Sequence, residues 1–251
     1  MYDAATRAGA LARLARGESL RSICLDTGIN RSTLREWRAR NGCFAPRIKA
    51  CRCPACDDSM AEVRVEYLYL LGQYLGDGSI QRAGRGHVLR VYCCDTYPTV
   101  MDEVEIAMKA VVGGSVFRVS AEGCTVVQSN TNRWLHLLPQ HGPGMKHTRP
   151  IVLEPWQREL VAADPRPLIR GLIHSDGCRV TNWTDRQVGG TTKRYTYPRY
   201  FFSNVSDDIR GIFTGALDLL GIAWKQNNWN SISVARREAV AALDEFVGPK
   251  T

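Results

Sequence analysis

Two similar segments that lie 99 residues apart constrain the fold of this chain more than any other feature of its sequence. The first, residues 70–78, has the sequence LLGQYLGDG, and the second, residues 169–177, has the sequence IRGLIHSDG. Each segment ends in Asp-Gly, at Asp77 and at Asp176, and each contains two small residues four positions apart. These small residues are Gly72 and Gly76 in the first segment and Gly171 and Ser175 in the second. Because residues at this spacing lie on one face of a helix, we expect the two helices to pack closely and to bring the aspartates together.

Two carboxylates at such a helix crossing predict a site for a divalent cation. Carboxylates held side by side repel each other, so that one of them keeps a proton unless a cation lies between them. Mg²⁺ and Mn²⁺ prefer hard oxygen ligands of this kind. A metal at paired carboxylates can activate water and stabilise a leaving oxygen, which is the chemistry of phosphodiester hydrolysis.

The elements predicted after each Asp-Gly segment occur in the same order. After Asp77, the pattern of apolar residues predicts two strands, a helix, two further strands and a helix, and the same order follows Asp176. The later predicted helices lie at 100–111 and 132–138 in the first half and at 207–220 and 237–246 in the second. The strand pair before the last helix lies at 115–120 and 124–129 in the first half, and at 223–226 and 231–235 in the second. Between the first two strands of the second half, we expect residues 182–197 to form a loop. The sequence therefore predicts an α+β fold of two pseudo-symmetric αββαββα halves.

Each half also ends in a similar tail. Residues 141–146 have the sequence HGPGMK, and residues 247–250 have the sequence VGPK. The lysines of these tails, Lys146 and Lys250, lie 69 and 74 residues after the aspartate of their own half. This agreement supports the division of the chain into two related halves.

With these features, residues 61–251, about three quarters of the chain, resemble a single-chain LAGLIDADG (dodecapeptide) homing endonuclease with two motifs. The resemblance implies half-domains at 61–150 and 151–251 that pack through their motif helices. It also implies that the two sheets form a saddle on double-stranded DNA and that the acids at the helix ends hold Mg²⁺ over the scissile phosphates.

The resemblance implies roles for individual residues by their position in the motif. The implied metal ligands are the two aspartates and the backbone carbonyls that precede them, that is Asp77, Asp176, Gly76 and Ser175. The aspartates would also be catalytic, together with Lys146 and Lys250, which would polarise water or balance the charge of the transition state. The alternative interpretation is that each aspartate merely precedes a glycine that caps its helix.

Four other residues in this part of the chain are considered for a role at the site or in DNA binding. Asp95 and Asn204 form a weaker candidate pair by their place in the second strand of each half. Arg90 and Asn204 are candidate DNA contacts. His174 departs from the residue that the family usually has in the motif. We expect its side chain to face solvent, and the alternative is a titrating group near the site.

Residues 1–42 differ from the rest in that they are predicted to be wholly helical. Gly28 and the residues after it predict a turn between the second and third short helices, which is typical of a helix-turn-helix domain. In that motif, the first residues of the helix after the turn meet the edges of DNA bases. The candidate DNA contacts are Asn30, Arg31, Ser32, Thr33 and Arg35. The alternative is a helical hairpin that only packs on the rest of the chain.

The basic charge of the chain is concentrated near its start. Residues 1–52 contain 11 Lys or Arg and 4 Asp or Glu, whereas residues 53–251 contain 22 and 21. A concentrated basic segment suits a polyanion such as DNA, although a solvated basic face without a partner is the alternative. No apolar run approaches the roughly 20 residues that a membrane-spanning helix needs. We therefore expect a cytoplasmic, nucleoid-associated monomer that binds double-stranded DNA and no membrane.

Residues 43–60 form a cysteine-rich linker, in which the candidate zinc ligands are Cys43, Cys51, Cys53 and Cys56. The Cys-Pro-Ala-Cys sequence at 53–56 is typical of a turn that directs two thiolates at one tetrahedral ion. The overall cysteine spacing matches no common zinc finger, so that free thiols are the alternative.

Together these features predict a site-specific, metal-dependent DNA endonuclease. The main alternative is a transcriptional regulator that combines the helix-turn-helix with the same scaffold and binds DNA without cleaving it. The presence of both aspartates favours the enzyme. An intein is rejected, because the residues before the first motif leave no room for a self-splicing domain.

Deletion of residues 1–42 is expected to weaken DNA binding and to flatten its salt dependence, because the slope reflects the number of phosphate contacts. Fluorescence anisotropy of labelled duplex DNA at a series of salt concentrations measures both quantities for the full and truncated chains. An identical slope for the two chains would remove the DNA-binding role of this segment.

Overall fold

The computed structural model of the chain describes residues 2–39, 53–57, 59–84 and 86–251. The chain divides into two compact units, Met1–Ala50 and Cys51–Thr251. Among the described residues, no helix is both long and apolar enough to cross a lipid bilayer. Two of the predicted zinc ligands, Cys43 and Cys51, lie outside the described residues.

Within its described residues, 2–39, the first unit contains three short helices, as predicted: α1 (Ala4–Ala15), α2 (Leu20–Thr27) and α3 (Arg31–Ala39). Helix α2 ends at Gly28, whose positive φ of 68° is a conformation that favours glycine. The small core of this unit consists of Ala10, Ile23, Ile29, Leu34 and Trp37. Leu34 and Trp37 are therefore buried, while the start of α3 remains at the surface.

The second unit contains the two predicted halves. The first half consists of α5 (Arg64–Leu75), β1 (Gly78–Ala83), β2 (Gly86–Cys94), α6 (Pro98–Val112), β3 (Phe117–Ala121), β4 (Cys124–Asn130) and α7 (Trp134–Leu137). The second consists of α9 (Arg166–Asp176), β5 (Gly177–Val188), β6 (Thr191–Ser203), α10 (Asp207–Leu219), β7 (Lys225–Asn228), β8 (Ser231–Val234) and α11 (Arg237–Asp244). The order αββαββα is confirmed in both halves.

Short segments precede and connect the halves. Helix α4 (Pro54–Asp57) and a 3₁₀ helix at Ser59–Val63 come before α5. A second 3₁₀ helix at Lys146–Thr148 and helix α8 (Pro155–Ala163) lead from the first half to the second.

Each half has a four-stranded antiparallel sheet with the same topology, β1-β2-β4-β3 in the first and β5-β6-β8-β7 in the second. The strand that follows each motif helix begins at an equivalent place, with Gly78 opposite Val91 and Gly177 opposite Phe202. Side chains alternate across each sheet, so that Tyr200 and Phe202 are buried while their neighbours point to the other face. One face of each sheet thus contributes to the core.

The two motif helices, α5 and α9, pack at the centre of the second unit. Every residue of Tyr67–Leu75 is buried, as expected for a helix covered on all sides. A Cβ atom on Gly72 would lie 2.7 Å from the carbonyl oxygen of Leu168, and one on Gly171 would collide with the carbonyl oxygen of Tyr69. The backbones themselves therefore touch at the crossing, as the spacing of small residues predicts.

The prediction of a loop at residues 182–197 is wrong. This segment extends β5 and β6 into a long hairpin whose turn is Gly189-Gly190, both with positive φ. Two glycines in this conformation suit the tight turn of a two-residue hairpin. The Thr, Tyr and Trp residues of the insert favour strands when paired across such a turn.

The prediction that His174 faces solvent is also wrong. Its side chain is only 4% exposed, and its Nε2–H donates to the carbonyl of Val247 at 2.9 Å. On the other side of the ring, Nδ1 lies 3.1 Å from the hydroxyl of Tyr69. His174 therefore connects α9 both to α5 and to the C-terminal tail.

Replacement of Gly72 by Ala is expected to lower the free energy of unfolding by about 1–3 kcal/mol, because the added methyl group meets rigid backbone. Gly211 is a matched control within helix α10, where an added Cβ meets nothing within 4 Å. Gly211→Ala should raise the same quantity by roughly 0.5–1 kcal/mol through helix propensity. Urea unfolding of both variants measures the difference, and equal effects would contradict the close helix crossing.

Candidate active site

The ends of α5 and α9 bring the two predicted aspartates to one place. Helix α5 ends at Leu75 and is followed by Gly76 and Asp77, while α9 ends at Asp176 itself. A Cβ atom on Gly76 would collide with the side chain of Ser175 and would lie 3.2 Å from Cγ of Asp176. The Asp176 carboxyl group therefore lies directly against the residue that precedes Asp77.

Lys146 is held beside this pair by the end of the first motif helix. Its Nζ donates to the carbonyl oxygens of Tyr74, Gly76 and Gly78 at 2.6, 2.6 and 2.9 Å. Three carbonyl oxygens around one ammonium group fix the position of the charge. The Gly76 carbonyl, an implied metal ligand, is thus hydrogen-bonded to a lysine.

Lys250 makes the equivalent contacts in the second half. Its Nζ donates to the carbonyl oxygens of Ser175 and Gly177 at 3.2 and 2.6 Å. These two carbonyls correspond to those of Gly76 and Gly78 when the sequence is shifted by 99 residues. The two lysines therefore follow the same pseudo-twofold relation as the two aspartates.

The four charged groups change one another's acidity. Burial, followed by the negative charge of Asp176, raises the pKa of Asp77 to about 6, although Lys146 and Lys250 oppose the change. Asp77 keeps access to solvent, but protein atoms surround its carboxyl group on most sides. Burial also raises the pKa of Asp176, against a hydrogen bond from Asn204 and the two lysine charges.

Burial has the opposite effect on the lysines. It lowers the pKa of Lys146 to about 8, while the charges of Asp176 and Asp77 act in the other direction. The pKa of Lys250 is lowered for the same reason. The site thus combines acids that hold protons more tightly than usual with ammonium groups that hold them less tightly.

The weaker candidate pair, Asp95 and Asn204, is not symmetric in the structure. Nδ2 of Asn204 donates to the Asp176 carboxylate at 2.6 Å. Asp95 instead accepts a hydrogen bond from the hydroxyl of Thr125 at 2.8 Å. Among the residues that the structure describes, the second half thus supplies an amide to its aspartate, whereas Asp95 of the first half bonds to Thr125 instead.

The described residues suit a divalent cation between the aspartates. In the part of the chain that the structure describes, no hydrogen bond reaches the Asp77 carboxylate, and the charge of Asp176 opposes its ionisation. A cation would relieve this repulsion and would meet hard oxygen donors. The carbonyls of Gly76 and Ser175 can add to the donor set, because a carbonyl oxygen has a second lone pair.

A pocket of about 500 Å³ opens beside Lys146 and reaches Asp176 and Asn204. Sequence reasoning missed three basic or titratable side chains that line it, His141, His147 and Arg149. The sequence could have indicated these residues, because all three belong to or follow the HGPGMK tail that contains Lys146.

The sheet faces that point away from the core also have ordered basic groups. Arg90, a predicted DNA contact, donates to Gln128 and Gln81 at 3.1 and 2.5 Å. In the second sheet, Arg199 donates to the hydroxyl of Ser233 at 2.6 Å. Sequence reasoning missed Arg199, although it alternates with the buried residues of β6.

The predicted contacts of the first unit lie at the start of α3. The Asn30 side chain accepts hydrogen bonds from the backbone N–H and the hydroxyl of Ser32, at 2.9 and 2.8 Å, and so caps the helix. Arg31 and Arg35 are exposed, and Thr33 is half-buried.

No protein-family model matches the sequence, and no curated protein matches it. Solved structures similar to this chain include the LAGLIDADG meganuclease I-AabMI bound to uncleaved DNA, at 11% identity and a TM-score of 0.47, over 72% of this chain and 82% of that one. The N-terminal LAGLIDADG domain of DUF199/WhiA is 10% identical, with a TM-score of 0.45, over 75% of this chain and 83% of that one. I-DmoI in complex with its target DNA is 13% identical, with a TM-score of 0.46, over 74% of this chain and 96% of that one. These are likenesses of fold at low identity, and they say nothing about individual side chains.

Replacement of Lys146 by Met is expected to raise the pKa of Asp77 above about 6, because a positive charge that opposes the effect of burial is lost. Conversely, Asp77→Asn should lower the pKa of Lys146 below about 8. NMR titration of the carboxyl carbon and of the lysine ε-methylene group measures both values. An Asp77 pKa near 3.8 that Lys146→Met leaves unchanged would contradict the coupling.

The same shift predicts how stability depends on pH. Because the folded chain binds the Asp77 proton more tightly than the unfolded chain does, the free energy of unfolding should fall as the pH rises from 3.8 to about 6. Asp77→Asn should remove this part of the pH dependence.

Proposed function

We propose that this chain is a LAGLIDADG-type, site-specific endonuclease that hydrolyses phosphodiester bonds of double-stranded DNA with a divalent metal held by Asp77 and Asp176. The observation that supports the proposal most strongly is the pseudo-twofold arrangement of two aspartates and two lysines at the crossing of α5 and α9. A site that lies on a twofold relation suits a duplex, whose two strands are themselves related by local twofold symmetry.

The metal and the chain would have separate tasks. Mg²⁺ or Mn²⁺, when bound, supplies Lewis-acid activation of water and stabilises the leaving oxygen. Asp77 and Asp176 would hold the ion, with the carbonyls of Gly76 and Ser175 as further oxygen donors. Asn204 fixes the orientation of the Asp176 carboxylate through its 2.6 Å hydrogen bond.

Lys146 and Lys250 would stabilise the negative charge that develops on the phosphate. Their carbonyl partners fix each ammonium group, so that little reorganisation is needed during the reaction. With a pKa of about 8, Lys146 remains mostly protonated at neutral pH and yet gives up its proton more readily than an ordinary lysine.

DNA would contact the sheet faces that lie away from the core. Arg90 and Arg199 are ordered there by neighbouring polar side chains, and in the long hairpin Arg194 stacks 4.1 Å from the ring centre of Trp183. Arginine binds both phosphates and base edges well. The start of α3, with Arg31 and Arg35 exposed, would provide a second, tethered contact.

The protein would act as a monomer on DNA in the cytoplasm. Both aspartates come from one chain, so that a monomer holds the complete metal site. A genomic DNA substrate would place the protein at the nucleoid in the cytoplasm.

A regulator that binds DNA without cleaving it is the second candidate. It is favoured by the equal number of acids and lysines at the site, because the two ammonium groups already oppose the repulsion between the carboxylates. This candidate and the endonuclease share a DNA-binding surface and differ only in turnover.

Selection from a randomised duplex library, with Mg²⁺ and with Ca²⁺ in separate experiments, tests the two candidates. We expect sequence-specific binding with either ion and cleavage only with Mg²⁺. On the selected site, Asp77→Asn and Asp176→Asn should each reduce cleavage by at least ~10²-fold, with DNA affinity nearly unchanged. Asp102→Asn is a matched control, because Asp102 forms a surface ion pair with Arg118.

The outcomes separate the candidates. Specific binding by the wild-type chain without cleavage in Mg²⁺ or Mn²⁺ would establish the regulator. Cleavage at the wild-type rate by both aspartate variants would show that the reaction takes place elsewhere.

A further inference from the structure

A second group of metal-binding side chains lies away from the paired aspartates. Cys53, Cys56 and His136 each offer one ligand atom, and these atoms all lie within 4.8 Å of one another. Sγ of Cys56 lies 3.1 Å from Nδ1 of His136. Because 80 residues separate these two along the chain, the fold and not local sequence brings them together.

The two cysteines are brought together by a turn. The backbone N–H of Cys56 donates to the carbonyl of Cys53 at 2.8 Å, which closes the Cys-Pro-Ala-Cys segment. This turn places both thiols on one side, as the sequence predicts for 53–56. Cys53 is fully buried, whereas Cys56 is exposed.

The histidine is held in place by the core of the first half. Its helix, α7, is anchored by the buried side chains of Trp134 and Leu137 on either side of His136. The indole N–H of Trp134 donates to the carbonyl of Ser129 at 3.0 Å, and the Tyr67 hydroxyl donates to that of Leu137 at 2.7 Å. The imidazole therefore starts from a fixed backbone and needs little ordering to bind an ion.

The donor set selects for a soft or borderline ion. Two thiolates and one imidazole are typical ligands of Zn²⁺, whereas Mg²⁺ requires oxygen. Zinc bond lengths of about 2.3 Å to sulfur and about 2.0–2.1 Å to nitrogen place tetrahedral ligand atoms roughly 3.5–3.8 Å apart. The observed separations, with an upper limit of 4.8 Å, need only small side-chain rotations to reach that geometry.

We propose that Cys53, Cys56 and His136 bind one structural Zn²⁺, with the fourth tetrahedral position left for a further donor. His136 thus joins Cys53 and Cys56, two of the four cysteines predicted from the sequence. The ion joins the segment before α5 to helix α7 and thereby fixes the start of the first motif helix against its own half. This site is independent of the proposed endonuclease function, because it shares no residue with the paired aspartates.

The metal content of the full-length protein tests the site. After dialysis against a weak chelator and then against limiting Zn²⁺, we expect one equivalent of zinc by mass spectrometry of the metal. Cys56→Ser and His136→Ala should each weaken zinc binding by at least ~10-fold in competition with a chromophoric chelator. Cys94→Ser and His147→Ala are matched controls, because they change an exposed cysteine and an exposed histidine of the same unit.

Co²⁺ substitution identifies the ligands without any measurement of activity. The wild-type protein should show thiolate-to-cobalt charge transfer and the intense visible bands of a tetrahedral site. His136→Cys should keep the ion and strengthen the charge-transfer band, which distinguishes a ligand from a merely structural residue. Asp77→Asn should leave the spectrum unchanged, so that loss of nuclease activity and loss of this site are distinguishable.

Two results would overturn the proposal. The first is a wild-type protein that binds no zinc under these conditions. The second is zinc that survives His136→Ala but is lost in Cys43→Ser or Cys51→Ser, which would assign the ion to a cluster of cysteines without the histidine.

Discussion

The close contact between the backbones of α5 and α9 is the constraint on which the rest of the second unit depends. Gly72 and Gly171 leave no side chain at the crossing, so that the two helices approach to the distance of backbone contact. Because α5 ends three residues after Gly72 and α9 ends five residues after Gly171, the residues at the two helix ends stay close together. The position of Asp77 beside Asp176 is therefore a consequence of helix packing.

That packing creates an electrostatic cost, and the tails of the two halves offset part of it. Burial of the Asp77 carboxyl group, followed by repulsion from the Asp176 carboxylate, raises the pKa of Asp77 to about 6. Each tail returns a lysine to the carbonyls at the end of a motif helix, Lys146 in the first half and Lys250 in the second. The aligned peptide dipoles of a helix give its C-terminus a partial negative charge. An ammonium group is therefore favoured there even without the carboxylates.

The sequence predicts the elements well, because apolar periodicity and the spacing of small residues are local signals. The αββαββα order of both halves is confirmed, and the proximity of the two aspartates follows from Gly72, Gly171 and their neighbours. The contacts of Lys146 with three carbonyls are not encoded locally, since they depend on how a tail folds back over some 70 residues. The same holds for His136, which meets Cys56 only in the folded chain.

Two errors of interpretation have clear physical causes. A run of polar and aromatic residues at 182–197 resembles a loop when considered alone, but paired across Gly189-Gly190 it forms two strands. His174 resembles a surface residue because its ring is polar, yet Tyr69 and the carbonyl of Val247 satisfy both ring nitrogens in the interior.

In the proposed function, one cation is shared by Asp77 and Asp176. Anomalous diffraction from crystals of the chain grown with its selected DNA and Mn²⁺ tests this most directly. We expect Mn²⁺ density in contact with both carboxylates, at the crossing of α5 and α9 and beside a phosphate. Density that is absent there, or that contacts neither carboxylate while DNA is bound, would contradict it.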